Sequence, residues 1–213
     1  EIGFVGLGIM GKPMVRNLMK ADYSVTVYDI VAESVEELAT DGAIAASSAA
    51  EVASNNPIVI TMVPDSPQSE AAILGPGGVL EGASEGDTVI DMSSIAPASS
   101  QKIAAACEEA GVNFLDAPVS GGETGAIDGT LAVMVGGKKD IFDANFDIMS
   151  AMSGSIVLCG PYGAGNTTKL ANQIIVAGNI AALGEAMVLA RKSGIDPQVV
   201  FDAIKGGLAG STV

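Results

Sequence analysis

Short apolar runs alternate with helix-length segments up to about residue 160, a pattern typical of an open sheet of parallel strands with helices between them. The apolar runs predict strands at residues 2–6, 25–29, 58–63, 88–91, 113–116, 131–135 and 155–159. Residues 57–63 (Pro-Ile-Val-Ile-Thr-Met-Val) show no polar alternation, which indicates a strand buried on both faces. Helices are predicted between the strands, at residues 10–21, 34–40, 47–53 and 98–110.

The pattern changes after residue 160. Residues 166–192 form a proline-free stretch of mainly small and apolar residues, which predicts a helix about 40 Å long. A further helix is predicted to begin at Asp196-Pro197. The sequence therefore predicts an α/β fold, with a Rossmann-type doubly wound sheet over residues 1–160 and the first part of an all-helical domain over residues 161–213.

Apolar residues lie almost all round the predicted 166–192 helix, and such a helix must be enclosed by other elements. The segment after it is too short to cover a rod of about 40 Å. We therefore expect the chain to be truncated, and the whole protein to be a homo-oligomer, a dimer or tetramer, through its helical domain.

Composition and charge argue against several classes of function. The chain has 25 acidic and 10 basic residues, a net charge of −15, which disfavours nucleic acid or an anionic membrane surface as a partner. Histidine is absent, so histidine triads and histidine metal ligands are excluded, and no metal site is expected. The isolated Cys107 and Cys159 indicate two buried free thiols in a cytoplasmic protein. No apolar run reaches the roughly 18–20 residues of a membrane span, and the chain starts with a strand rather than a signal peptide.

A glycine-rich turn directly after the first predicted strand indicates a dinucleotide-binding site. In such a turn the first glycine permits the tight bend, the second lets the backbone approach a pyrophosphate, and the third lets helix and strand pack closely. Chance matches are easy in a chain with 27 glycines, but here the strand, the helix and a later acidic residue agree. The turn comprises Gly6, Leu7, Gly8, Ile9, Met10 and Gly11.

The acidic residue is Asp29, 23 positions after Gly6, at the end of the second predicted strand. A carboxylate there accepts hydrogen bonds from the adenosine ribose and repels a 2′-phosphate. The next residue is Ile30, which offers no guanidinium to hold such a phosphate. The sequence therefore predicts NAD as the cofactor, with NADH preferred over NADPH. A flavin ligand, or a glycine turn without a ligand, is the alternative.

Two later segments suit a small anionic substrate. Ser120, Gly121 and Gly122 follow a predicted strand, so a hydroxyl and two bare N–H groups are available to bind an anion. Lys169 lies in the first turn of the long helix, where the helix dipole disfavours a cation and a lowered pKa is expected. The alternative for this residue is a solvated surface lysine. The helix face that carries Lys169 continues, at i+3 and i+4, with Asn172 and Gln173.

These motifs, in this order, resemble those of the β-hydroxyacid dehydrogenase family along the whole chain, at residues 3–11, 91–94, 116–123 and 163–172. The resemblance implies that Lys169 is the catalytic lysine and that residues 120–122 bind the substrate carboxylate. Many family members have Asn four residues after the lysine, where this chain has Gln173, so the substrate contact of Asn172 and Gln173 stays open. The nicotinamide half of the cofactor would be contacted by Val63, Pro64, Gln68 and Ser94.

Within the family, residues 122–131, 165–173 and 206–213 most resemble members that reduce tartronate semialdehyde (2-hydroxy-3-oxopropanoate) to D-glycerate. The implied reaction is hydride transfer from NADH with a lysine as general acid. A 3-hydroxyisobutyrate dehydrogenase, or another short-chain semialdehyde reductase of the family, is the nearest alternative. A 6-phosphogluconate substrate is disfavoured, since the chain has two arginines and no histidine to pair with a phosphate. A non-catalytic NAD-binding interaction module is the alternative from a different class.

Overall fold

The computed structural model describes residues 1–211; Thr212 and Val213, the end of the 206–213 segment, lie outside the described residues. The chain alternates between strands and helices up to residue 160 and is helical afterwards. In chain order the elements are β1 (Ile2–Val5), α1 (Gly11–Lys20), β2 (Val25–Tyr28), α2 (Ala32–Thr40), β3 (Ile44–Ala45), α3 (Ala49–Asn55), β4 (Ile58–Thr61), α4 (Ser66–Leu74), α5 (Val79–Gly82), β5 (Thr88–Asp91), α6 (Pro97–Glu109), β6 (Asn113–Asp116), β7 (Val119–Ser120), α7 (Gly122–Asp128), β8 (Leu131–Gly137), α8 (Lys139–Ala144), α9 (Phe146–Ser150), β9 (Ser153–Gly160), α10 (Ala164–Lys192) and α11 (Pro197–Ile204).

The strands form one mostly parallel sheet in the order β3-β2-β1-β4-β5-β6-β8-β7, with β9 paired to β8. All pairs from β3 to β6 are parallel, which confirms the predicted Rossmann-type sheet. The far edge differs, because β8 runs antiparallel to β6 and β7. The chain reverses there at Gly129, a left-handed residue (φ 68°) that ends α7.

Alternate residues of the central strands fill two separate cores, one on each face of the sheet. Phe4, Ile60 and Ile90 pack on one face with Met14 and Leu18 of α1. Their neighbours along the strands pack on the other face, against α3, α4 and α6. Because both faces are covered by helices, these strands are continuously apolar, as the 57–63 run predicted.

The chain divides into two compact units, Glu1–Lys169 and a second unit from Leu170 onward. The domain boundary near residue 160 stays a prediction. In the second unit the long predicted helix is present as part of α10, and α11 begins after Asp196, whose carboxylate caps Gln198 N–H at 2.9 Å. The helix α10 is long enough to cross a membrane, and an 18-residue stretch within it has a mean hydropathy of 1.6, so α10 is a candidate span by length and composition alone. The expectation concerned unbroken apolar runs and is not contradicted, since polar residues such as Asn179 and Glu185 interrupt this helix.

The two cysteines differ in their surroundings. Cys107 is fully buried on α6, and burial raises the pKa of its thiol to about 12. Cys159 lies on β9, the strand paired only to β8, and is half-buried. Both cysteines are free thiols, as predicted. The expectation that both are buried is wrong for Cys159, because β9 has a neighbouring strand, β8, on just one of its two sides.

Candidate active site

The predicted cofactor-binding residues lie at or just beyond the carboxyl ends of the parallel strands. β1 lies between β2 and β4, so the chain crosses to opposite sides of β1 in successive connections. A ligand crevice opens in such sheets at this switch point, beyond the carboxyl ends of the strands. The glycine-rich turn directly follows β1 and therefore lies at that point.

The three glycines of this turn have three distinct environments. Gly6 has φ of 101°, and a Cβ there would overlap the Met62 carbonyl oxygen. A Cβ on Gly11 would overlap the Gly6 carbonyl oxygen, so the helix and the turn are in close contact. A Cβ on Gly8 would meet no protein atom within 4 Å. The backbone at Gly8 is therefore open to a ligand, which fits the close approach of a pyrophosphate.

Asp29 is held against this turn. Its carboxylate accepts the Leu7 N–H at 2.5 Å and the Val31 N–H at 2.8 Å. Ile30 beside it is 91% exposed and offers no charge. The two cations of α1 nearest the turn are already paired, since Lys12 contacts Glu37, and Arg16 contacts Glu37 and Asp41; the third cation, Lys20, lies at the far end of this helix. The electrostatics at this end of the crevice therefore suit ribose hydroxyls better than a phosphate.

The predicted nicotinamide contacts gather where β4 and β5 end. Ser93 joins the two segments, because its hydroxyl oxygen accepts the Val63 N–H at 2.9 Å. Asp91 fixes Ser93 in turn, accepting its N–H at 3.1 Å and the Thr61 hydroxyl at 2.9 Å. Burial raises the pKa of the Asp91 carboxyl. The four predicted nicotinamide contacts flank this junction. Val63 is half-buried, and the other three are exposed: Pro64, Gln68 and Ser94.

The predicted carboxylate loop is a sharp turn between β7 and α7. Ser120 ends β7 and is half-buried, while Gly121 and Gly122 have φ of 138° and 61° and are exposed. Only glycine adopts two such successive conformations readily. The loop leads into the first turn of α7, whose N–H groups lack partners within that helix and favour an anion. Asn17 links α1, the helix that follows the glycine-rich turn, to α7, because its side-chain amide donates to the Ala126 carbonyl at 2.7 Å.

Lys169 is half-buried on the second turn of α10. Within residues 1–211, its ammonium makes no hydrogen bond or ion pair. Burial lowers the pKa of this ammonium, so the predicted direction is confirmed, although the cause is loss of hydration rather than the helix dipole. A lysine with a lowered pKa and an unengaged ammonium is suited to exchange a proton with a substrate.

Asn172 and Gln173 lie in the second unit, on the continuation of α10. Their side chains bond each other, with the Asn172 amide donating to the Gln173 carbonyl at 2.9 Å. This bond uses one Asn172 N–H and leaves the second Asn172 N–H and both Gln173 amide N–H groups as donors available to a ligand. The predicted substrate contact of this pair stays a prediction.

Sequence reasoning missed the buried polar residues that join these segments. Asp116 accepts backbone N–H groups at the start of α10, and Asn166 joins that start to the loop before α6. A signal was present in the sequence. Asp91 and Asp116 each end an apolar strand, where a buried carboxylate needs partners that only distant segments supply.

Comparison with known proteins gives the same family over the whole chain. Residues 1–160 match the NAD binding domain of 6-phosphogluconate dehydrogenase, and residues 163–213 match the NAD-binding of NADP-dependent 3-hydroxyisobutyrate dehydrogenase. The 2-hydroxy-3-oxopropionate reductase of Escherichia coli is 43% identical over 213 residues, which are 100% of this chain and 73% of that protein.

Two 3-hydroxyisobutyrate dehydrogenases are also similar. The mitochondrial enzyme of Mus musculus is 39% identical over 93% of this chain and 59% of its own length. The solved structure of the Mycobacterium tuberculosis enzyme with L-serine has a TM-score of 0.90 and 36% identity, and covers 99% of this chain and 71% of that one. The relatives thus share a fold and a type of chemistry but differ in their named substrates.

Proposed function

This chain belongs to the β-hydroxyacid dehydrogenase family, NAD-dependent oxidoreductases acting on CH–OH groups, and we propose that it reduces tartronate semialdehyde to D-glycerate with NADH. The observation that carries the proposal is the half-buried Lys169 ammonium, which pairs with no group among residues 1–211, on a helix that begins against the strand leading to Ser120. The 43% identity to a 2-hydroxy-3-oxopropionate reductase supports this choice of aldehyde.

The proposed reaction needs one hydride and one proton. Bound NADH supplies the hydride, which the aldehyde carbon accepts. Lys169, as ammonium, hydrogen-bonds the aldehyde oxygen and gives it the proton as that oxygen gains charge, leaving a neutral amine. Ser120 and the N–H groups of Gly121 and Gly122 hold the substrate carboxylate and so orient the aldehyde carbon. A proton from solvent then restores the Lys169 ammonium.

The substrate is tested by comparing kcat/KM for tartronate semialdehyde with that for the aldehyde of 3-hydroxyisobutyrate and for succinic semialdehyde. Tartronate semialdehyde is expected to give the highest value. A higher value for the 3-hydroxyisobutyrate aldehyde would favour the second candidate, which the Mus musculus and Mycobacterium tuberculosis relatives support. No NADH oxidation with any of the three would favour a non-catalytic NAD-binding module.

We expect kcat/KM to be at least about tenfold higher for NADH than for NADPH, since a like charge near the 2′-phosphate costs about 1.4 kcal/mol or more. The reason is the Asp29 carboxylate, which is fixed against Leu7 and Val31, while the nearby Lys12 and Arg16 are paired with other carboxylates. Steady-state kinetics with the two cofactors measures the ratio. Asp29→Ser should narrow this ratio, whereas Asp87→Ser, at the amino end of β5 and so at the opposite ends of the strands, should not. A preference for NADPH would contradict this role of Asp29.

We further propose that the protein is a cytoplasmic homo-oligomer, in which other polypeptide segments rather than lipid cover the exposed side chains of α10. Ile174, Ile175 and Leu189 are 74%, 64% and 68% exposed, a large apolar surface for one helix. Light scattering of the full chain without detergent is expected to give at least a dimer. Recovery of the protein in a membrane fraction, or as a monodisperse monomer, would contradict the proposed assembly.

A further inference from the structure

The carboxylate of Asp116 is buried at the end of β6, with an exposed fraction of 0%. Its partners are backbone groups: Oδ1 accepts the Gly163 N–H at 2.8 Å, and Oδ2 accepts the Asn166 N–H at 3.0 Å. Within residues 1–211, no cation pairs with it. A buried carboxylate is costly unless it is fully hydrogen-bonded, so its place at the start of a helix needs a physical reason.

The start of α10 lacks a polar residue of its own to cap it, because Pro-Tyr-Gly precedes Ala164. The first N–H groups of a helix have no partners within the helix and favour a negative charge. Asp116 supplies that acceptor from a strand 47 to 50 residues earlier. It does what an N-cap residue does, but it also ties the helix to the sheet.

The contact between Asp116 and the start of α10 is so close that the positions around it require glycine. A Cβ on Gly165 would lie 2.6 Å from the Asp116 carbonyl oxygen and 2.9 Å from Oδ2. A Cβ on Gly136 of β8 would overlap Oδ1 and lie 2.8 Å from the Gly165 nitrogen. The Gly-Ala-Gly-Asn segment before Lys169 thus lets the first turn of α10 seat directly on this carboxylate.

Asn166 fixes the same turn from another side. It is 1% exposed, its Oδ1 accepts the Ile95 N–H at 2.9 Å, and its Nδ2 donates to the Ser100 hydroxyl at 3.0 Å. Lys169 follows Asn166 by three residues and therefore lies on the same side of the helix, one turn later. The position of the Lys169 backbone is set by these contacts.

We propose that Asp116 is a positioning residue for Lys169. Its carboxylate holds the first turn of α10 and so fixes where the lysine ammonium stands, while the chain beyond it leads directly to Ser120. One residue thereby sets the spacing between the proton donor and the carboxylate loop. This inference rests on the proposed role of Lys169 as general acid. The backbone N–H bonds favour the charged form of Asp116, against burial, which raises its pKa.

The test is Asp116→Asn in the full chain, because an amide keeps the size of the side chain but offers one acceptor oxygen to two N–H donors. We expect kcat with tartronate semialdehyde to fall about tenfold or more, since small displacements of a catalytic group are costly, while the Kd for NADH changes less than about twofold. Asp87→Asn is the matched control. Asp87 also accepts a loop N–H, from Ser84 at 2.7 Å, but it directly precedes β5 and so lies at the amino ends of the strands.

A double-mutant cycle separates positioning from a general loss of structure. If Asp116 acts through Lys169, Asp116→Asn should change the residual rate of the Lys169→Ala enzyme by less than about twofold. Asp116→Ser, whose side chain is smaller than that of the aspartate it replaces, is measured in parallel in case Asp116→Asn folds poorly. Thermal unfolding with saturating NADH identifies the variants that are folded.

Two results would overturn the inference: wild-type kcat in a folded Asp116 variant beside a defective Lys169→Ala enzyme, or an undiminished effect of Asp116→Asn in the Lys169→Ala background. A Lys169→Ala enzyme with wild-type kcat would instead contradict the proposed function itself. The two failures are therefore distinguishable.

Discussion

Replacing Lys169 with alanine is expected to lower kcat about 10²-fold or more, because general acid catalysis is typically worth about 10²–10⁴. The half-buried ammonium has no protein partner within the described residues, so its loss breaks no ion pair that would unfold the chain. Water can still supply a proton, and substrate held beside the cofactor should keep a residual rate. Steady-state kinetics with tartronate semialdehyde measures kcat, and fluorescence titration measures NADH binding.

Lys192→Ala is the matched control for this variant. Lys192 lies in the last turn of the same helix and is exposed, so its removal changes the net charge equally. We expect it to retain kcat, and both variants to retain NADH affinity. Normal turnover by Lys169→Ala would show that another group donates the proton.

Gly8→Ala is expected to weaken NADH binding about 10- to 100-fold without changing the fold, since lost hydrogen bonds to a charged group cost about 1.5–3 kcal/mol. A Cβ on Gly8 meets no protein atom within 4 Å, and Gly8 is not among the residues with positive φ. The added methyl group would therefore occupy the space of the pyrophosphate alone. Fluorescence titration gives the Kd, and thermal unfolding without cofactor gives the stability.

Gly184→Ala on α10 is the control, because its Cβ also meets no atom within 4 Å. It should bind NADH normally and, as a helical Gly→Ala change, should not lower stability. Gly6 and Gly11 would make poor test positions, since a Cβ at either overlaps backbone and would damage the fold itself. Unchanged NADH affinity in Gly8→Ala would mean that the pyrophosphate does not approach this backbone.

The sheet was predictable because its strands are short, apolar and separated by helices, and the predicted parallel, Rossmann-type sheet is confirmed. The two-residue strands β3 and β7 were not, since two residues carry no periodicity. The antiparallel far edge depends on the chain reversal at Gly129. The sequence does not show which of its 27 glycines adopts a positive φ, so this reversal could not be predicted.

The candidate site was predictable only where motif and neighbours lie close together in sequence. The glycine-rich turn and Asp29 are joined by a hydrogen bond from the Leu7 N–H to the Asp29 carboxylate, across 22 residues, and their spacing is typical of the motif. The bonds from Gly163 and Asn166 to Asp116 span 47 and 50 residues. No local pattern encodes such a contact, because it depends on how closely the helix seats on the sheet.

Because the two cysteines differ in burial, one of them can be labelled selectively. A thiol reacts as its thiolate, and a pKa of about 12 leaves Cys107 with almost none at neutral pH, behind a closed core. Cys159 is half-buried on β9, five residues before the first residue of α10, whose first turn Asp116 holds. A maleimide fluorophore would therefore label this chain at one position without any mutation, and its emission would report directly on the segment that leads into the lysine-bearing helix.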